Sequence, residues 1–160
     1  PEAWNLAKGS SDVIIAIIDT GIDYTHPDLA RKIWNNTDEI PNNGFDDDNN
    51  GYIDDVRGWD FDKNSSDPKD DFCHGTICAG IAGATTDNGI GIAGAGWNCT
   101  IMIIKTSNLF SSETAEGIKY ATDNGADIIS MSFGYSYPVN ILKDLVNYAY
   151  DKGVFLHLIP

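Results

Sequence analysis

Residues 13–21 read VIIAIIDTG: six apolar residues in a row, then Asp19, Thr20 and Gly21. An unbroken, β-branched run of this kind, with no polar alternation, fits a strand buried on both faces. Four further short runs repeat the character, at Val56–Phe61, Ile101–Lys105, Asp127–Met131 and Val154–Ile159. Helical patterns lie between them at Gly75–Ala84, Ser112–Asn124 and Val139–Lys152, and Gly125 and Gly153 follow the last two where a glycine commonly ends a helix. Strands alternating with helices predict an α/β fold of three layers, a mostly parallel central sheet with helices on both faces. In such sheets sites lie beyond the carboxyl ends of the strands. Asp19 stands at that end of the first one.

The chain has 160 residues, 42% hydrophobic and 21% charged, which describes one globular domain over residues 1–160, without a repeat or linker to divide it. No apolar run approaches the roughly 18 residues of a membrane span, and no charged-then-apolar signal segment opens the chain. The net charge of −14 disfavours nucleic-acid backbones and anionic membranes as partners, and favours cations. That charge is concentrated: Asp38 to Asp71 holds twelve acids against three bases.

Within this segment, residues 43–57 form an acidic loop whose spacing is specific. Counting from Asp46 as position 1, Asp48 and Asn50 occupy positions 3 and 5, Gly51 position 6, Tyr52 position 7 through its carbonyl, and Asp54 position 9. This is the start of an EF-hand-type arrangement, which wraps oxygen ligands around one hard cation, and predicts calcium. Position 12 is Arg57 instead of the usual bidentate glutamate, so Asp54 or Asp55 must serve. The alternative is a solvated acidic turn, in which carboxylates this dense would repel one another.

Two other signals are weaker. Gly89–Gly94 matches G-x-G-x-x-G, but the helix precedes it and the strand follows, the reverse of a dinucleotide site. Cys73 and Cys78 flank His74, yet no second cysteine pair completes a four-ligand zinc set; with Cys99 the three thiols read as structural.

His74 opens the helical stretch 75–84, rich in glycine and alanine, so this helix can approach a sheet closely. Alone, Asp19 reads as a carboxylate capping the turn after its strand, and His74 as a structural histidine. Together they suggest a buried aspartate fixing an imidazole tautomer, which leaves the other ring nitrogen free as a base.

At these residues the sequence resembles the subtilisin-like serine proteases, the subtilases. Ile17–Asp23, followed by Tyr24–Leu29, matches the family's aspartate box, and His74–Gly80 nearly matches its histidine box, with Ile77 where the family usually has a second histidine. The order Asp then His agrees with that of subtilisin. Cys78 falls where a thiol-bearing subgroup has a cysteine beneath the active-site histidine. Ser132, Phe133 and Gly134 resemble the family's substrate-binding segment, where an extended peptide adds as a strand. Lys105–Phe110 resembles the facing segment, with Asn108–Phe110 departing from the family's usual glycine. The resemblance runs from Trp4 to about Val154.

It implies a secreted, calcium-stabilised endopeptidase acting on peptides or proteins, with Asp19 orienting His74 as general base. It also implies a second calcium site, made by Asp28 and the loop residues Thr85, Asn88, Ile90 and Ile92 largely through carbonyls. An N-terminal arm that completes this site in the family is missing here, which should weaken it.

The family's nucleophile, in a Gly-Thr-Ser box well beyond the histidine, and its oxyanion asparagine have no counterpart in these residues. The match ends inside the strand at Val154, which suggests a frameshift or premature stop near Phe155, or a boundary chosen there. The fold is therefore expected to be incomplete at its C-terminal side, and the chain inactive alone. Two readings stand: the Asp- and His-bearing half of a subtilisin-type protease, or a non-catalytic calcium-binding remnant or peptide-binding pseudoenzyme.

Overall fold

A computed structural model describes residues 2–107, 111–136 and 138–158. Asn108–Phe110, where the facing segment departs from the family, and Ile159, the last residue of the fifth expected strand, lie outside them. Five strands, β1 (Ile14–Asp19), β2 (Gly58–Asp60), β3 (Thr100–Lys105), β4 (Ile128–Met131) and β5 (Phe155–Leu158), form one sheet in the order β2-β3-β1-β4-β5. Every pairing is parallel. Helices α1 (His74–Gly83), α2 (Ser111–Asp123) and α3 (Asn140–Asp151) supply the outer layers.

The apolar run of β1 is continuous because both of its faces are covered. Ala16 and Ile18 point to one side, where they meet Met102, Ile104, Ile129 and Met131 with Ile118 and Ala121 of α2 and Ala149 of α3. Ile15 and Ile17 point to the other, with Ile101, Ile103 and Ala79 of α1. Ile17, Ile18, Ile101, Ile103, Ile104 and Ile129 are at most 2% exposed, and each contributes about 1.5–3 kcal/mol by leaving water. This is the expected three-layer fold, with β1 at its centre.

The element boundaries differ from the expected ones for local reasons. β2 starts at Gly58 and not Val56, because Val56 still belongs to the end of the acidic loop: its carbonyl accepts from Asn36 N at 2.9 Å. β5 starts at Phe155 because Val154 N closes α3 by donating to Ala149 O at 3.0 Å. On its face of the sheet α1 packs on β1 and β3; Ile128 and Ser130 of β4 are half-buried, and Phe155 on β5 is 65% exposed.

Candidate active site

Asp19 is the last residue of β1 and is 1% exposed. Thr106 N donates to its backbone carbonyl at 2.8 Å, tying the ends of β1 and β3. Its Oδ1 accepts from Thr20 N at 2.7 Å and faces His74 Nδ1 at 2.7 Å. His74 is the first residue of α1, and its side chain is 46% exposed. A buried carboxylate thus holds one ring nitrogen and leaves Nε2 free towards solvent. Among the described residues, no serine hydroxyl is hydrogen-bonded to this ring; its side-chain contacts are Asp19 and Cys78.

The approach of α1 to β1 depends on Gly75. A methyl group at this position would sit 2.2 Å from Gly21 O and 3.1 Å from Asp19 Cβ, so no larger residue fits between the helix and the strand end. Ala79, Gly80 and Gly83 continue the buried small-residue face that lets α1 lie against the sheet.

Cys78 follows His74 by one helical turn, and its Sγ is 3.9 Å from Nδ1. The thiol is half-buried, less deep than its expected place beneath the histidine suggested. Burial pushes its pKa up, and the charges of Asp19 and Asp70 add to that, while Ser132 opposes by hydrogen bonding. The thiol is thus kept protonated. Ser132, in the segment after β4, lies close enough to influence this thiol. Ser132 and Phe133 are half-buried and Gly134 exposed, and the Phe133 ring meets Tyr135 edge-on at 6.2 Å. Asp19, His74, Cys78 and Ser132 therefore converge at the carboxyl ends of the strands.

Asp70 was not singled out from the sequence, yet it accepts five hydrogen bonds beside this site. Thr20 Oγ1, Phe72 N and Cys73 N donate to Oδ1, each at 2.9 Å. Thr76 donates to Oδ2 through both its N, at 3.0 Å, and its hydroxyl. Burial would raise the Asp70 pKa, but these bonds outweigh it and hold the carboxyl below the usual aspartate range. The only available signal was its position four residues before His74, and no simple spacing rule marks it.

In the acidic loop the carboxylates divide into two groups. Glu39, Asp46 and Asp48 bring oxygens within 4.8 Å of one another. Glu39, which loop spacing could not reveal because it lies upstream of Asp46, is 5% exposed and accepts from Asp47 N at 2.7 Å and Asp54 N at 2.9 Å. Gly51, at φ 99°, makes the sharp turn at position 6. Asp54 turns away to accept from Asn43 N and Gly44 N at 3.0 and 3.1 Å.

Asp55 is fully buried and accepts from Asn36 Nδ2 and Asn50 Nδ2, each at 3.0 Å, and from the Tyr120 hydroxyl at 2.5 Å. Burial, the dominant cause, raises its pKa. Asn50 also donates to Asp48 Oδ2 at 3.0 Å, and the Tyr52 ring packs on Trp59, Phe61 and Tyr120. Asp55 and Tyr52 therefore anchor the loop to the core, while Glu39, Asp46 and Asp48 present the hard oxygen donors that suit calcium.

In the second set the contacts with Asp28 are made by amide and backbone N–H groups. Asp28, 3% exposed, accepts from Asn88 Nδ2 at 2.6 Å and Ile92 N at 2.9 Å, and its carbonyl accepts from Thr85 N at 2.8 Å. The bonds from Asn88 and Ile92 hold its carboxyl below the usual range. Ile90 N turns inward to Asn88 Oδ1 at 3.2 Å, closing the loop.

Residues 10–158 match the model of the subtilase family, Peptidase_S8. Thermitase of Thermoactinomyces vulgaris is 40% identical over 157 residues, covering 96% of this chain and 48% of that protein. A thermophilic serine proteinase of Bacillus sp. (strain AK1) is 40% identical over 155 residues, covering 94% of this chain and 33% of that protein. The crystal structure of fervidolysin from Fervidobacterium pennivorans, a keratinolytic enzyme related to subtilisin, superposes with a TM-score of 0.62 at 28% identity, over 97% of this chain and 22% of that one. The chain thus spans half or less of the length of these relatives.

Proposed function

The chain belongs to the subtilase family, and from that membership we propose that it is the Asp- and His-bearing portion of a subtilisin-type serine endopeptidase. The observation that carries this reading is the 2.7 Å contact between buried Asp19 and half-exposed His74 at the ends of the strands. Asp19 fixes the imidazole with its proton on Nδ1, and Nε2 takes the proton of a serine hydroxyl supplied from outside these residues. That serine attacks the peptide carbonyl, and His74 returns the proton to the leaving amine. The segment Ser132–Gly134 would receive the peptide in extended form through main-chain hydrogen bonds.

Calcium is part of the same proposal. Glu39, Asp46 and Asp48, with Asn50 and the Tyr52 carbonyl completing the loop, would hold one ion, and Asp28 with Thr85, Asn88, Ile90 and Ile92 a second. Its role is to offset the repulsion of the acidic segment and fix the loop against the core. The family resemblance extends the proposal to a secreted protein. Among the described residues, no helix is long and apolar enough to cross a membrane.

These 160 residues carry base and orienting group without a Gly-Thr-Ser box, so alone they should neither cleave peptides nor react with a serine-directed fluorophosphonate. Joined to the C-terminal half of thermitase, the chain should hydrolyse a chromogenic peptide, and His74→Ala or Asp19→Asn should remove that activity. Hydrolysis unaffected by His74→Ala overturns the assignment. A folded, calcium-binding chimera with no hydrolysis at all favours the non-catalytic reading.

A further inference from the structure

The contact of Asp19 with His74 spans 55 residues and joins a strand end to a helix start, so something must fix these two elements to each other. Helix α1 lacks an ordinary cap: its first flanking residue, Cys73, has a left-handed backbone at φ 73° and its side chain caps nothing. Asp70 does that work from three residues upstream, taking Cys73 N and Thr76 N. A cap alone, however, would need no link to β1.

That link exists, through Thr20. Its backbone N donates to Asp19 Oδ1 at 2.7 Å, its hydroxyl donates to Asp70 Oδ1 at 2.9 Å, and the same hydroxyl accepts from Gly75 N at 3.0 Å. Thr76, held by Asp70, in turn accepts from Asp23 N at 2.9 Å. The strand end is thereby tied to the helix start on both sides of the His74–Asp19 contact. Lys105, 3% exposed and paired in register with Asp19, secures the residues flanking Asp70: its Nζ donates to Lys69 O at 2.8 Å and meets Asp71 Oδ2 at 3.0 Å.

We propose that Asp70 is a positioning residue for the Asp19–His74 pair, acting through Thr20 and Thr76 to hold the imidazole on the carboxylate. It touches neither the substrate nor the ring. The inference rests on His74 as the base, but its test reads the pair directly and not turnover, so failure of one is distinguishable from failure of the other.

The test is nitrogen-15 NMR of His74 in the full chain with calcium present, comparing wild type, Asp70→Asn and Thr20→Val. A loosened carboxylate holds the Nδ1–H less firmly, so both variants should broaden or erase the low-field Nδ1 proton signal that reports the His74–Asp19 hydrogen bond. Thr20→Val leaves the Asp70 charge in place. Loss of the signal in Asp70→Asn without loss in Thr20→Val would therefore be a through-space charge effect and would overturn the proposal. So would two folded variants with the wild-type proton signal, whatever their thermal stability. If Asp70→Asn does not fold, the Thr20→Val result decides alone.

Discussion

Replacing Gly75 by alanine tests the packing on which the site is built. The added methyl would lie 2.2 Å from Gly21 O, 3.1 Å from Asp19 Cβ and 3.2 Å from Asp19 Oδ1. Restoring ordinary contact with the carbonyl requires α1 to retreat by about 1 Å, which stretches the 2.7 Å contact between Asp19 and His74 beyond hydrogen-bond range. Overpacking of this kind costs about 1–3 kcal/mol. The lost hydrogen bond adds about 0.5–1.5 kcal/mol, the modest value appropriate to a half-exposed histidine. Alanine returns about 1 kcal/mol of helix propensity.

The net is a loss of about 0.5–3.5 kcal/mol, or up to several degrees in Tm for a domain of this size. Gly80→Ala, on the same helix, is the matched control. Its methyl would meet only Ile92 Cδ1, at an ordinary 3.6 Å, so the propensity gain should stand alone and the variant should be slightly more stable. Denaturant midpoints and the His74 Nδ1 proton signal, recorded at low protein concentration with calcium present, give both readouts. Gly75→Ala that is as stable as Gly80→Ala, with an unchanged His74 signal, would refute the close approach of α1 to β1 as the source of the geometry.

Calcium should bind by calorimetry with magnesium much weaker, and Asp46→Ala combined with Asp48→Ala should abolish the acidic-loop site; Glu39→Gln should weaken it, and unchanged binding in both variants would place the ion elsewhere. Cys73 is exposed and Cys78 half-buried with a raised pKa, so a bulky thiol reagent should modify Cys73 first and Cys78 at least about tenfold more slowly; equal rates, or a disulfide between them, would contradict this. The Asp70 carboxyl is held below the ordinary 3.8, so its stabilisation is complete above that value and is lost as pH falls through its lower folded value. The Tm gap between wild type and Asp70→Asn should therefore be widest near pH 6 and close progressively below about pH 4; a gap that widens with acid would reverse the sign.

The unbroken apolar run at Val13–Ile18 fits a strand covered on both faces, and the strand–helix alternation that follows it points to a parallel sheet with helices on both faces. Local chemistry is sufficient for that, because burial pattern and helix-ending glycines act over a few residues. The pairing of Asp19 with His74 was also legible, though only by joining a strand-end acid to a histidine opening a small-residue helix. Tertiary structure alone brought in Asp70, Glu39 and Thr20, whose roles come from partners many residues away or from backbone N–H groups that no side-chain pattern records. It also divided the acidic run. Spacing offered Asp54 or Asp55 to complete the ion's ligands; in the fold Asp54 accepts from Asn43 N and Gly44 N, and Asp55 is buried against Tyr120, 65 residues later. Sequence spacing sets which oxygens can converge; the packing of the loop on the core decides which of them face the same point.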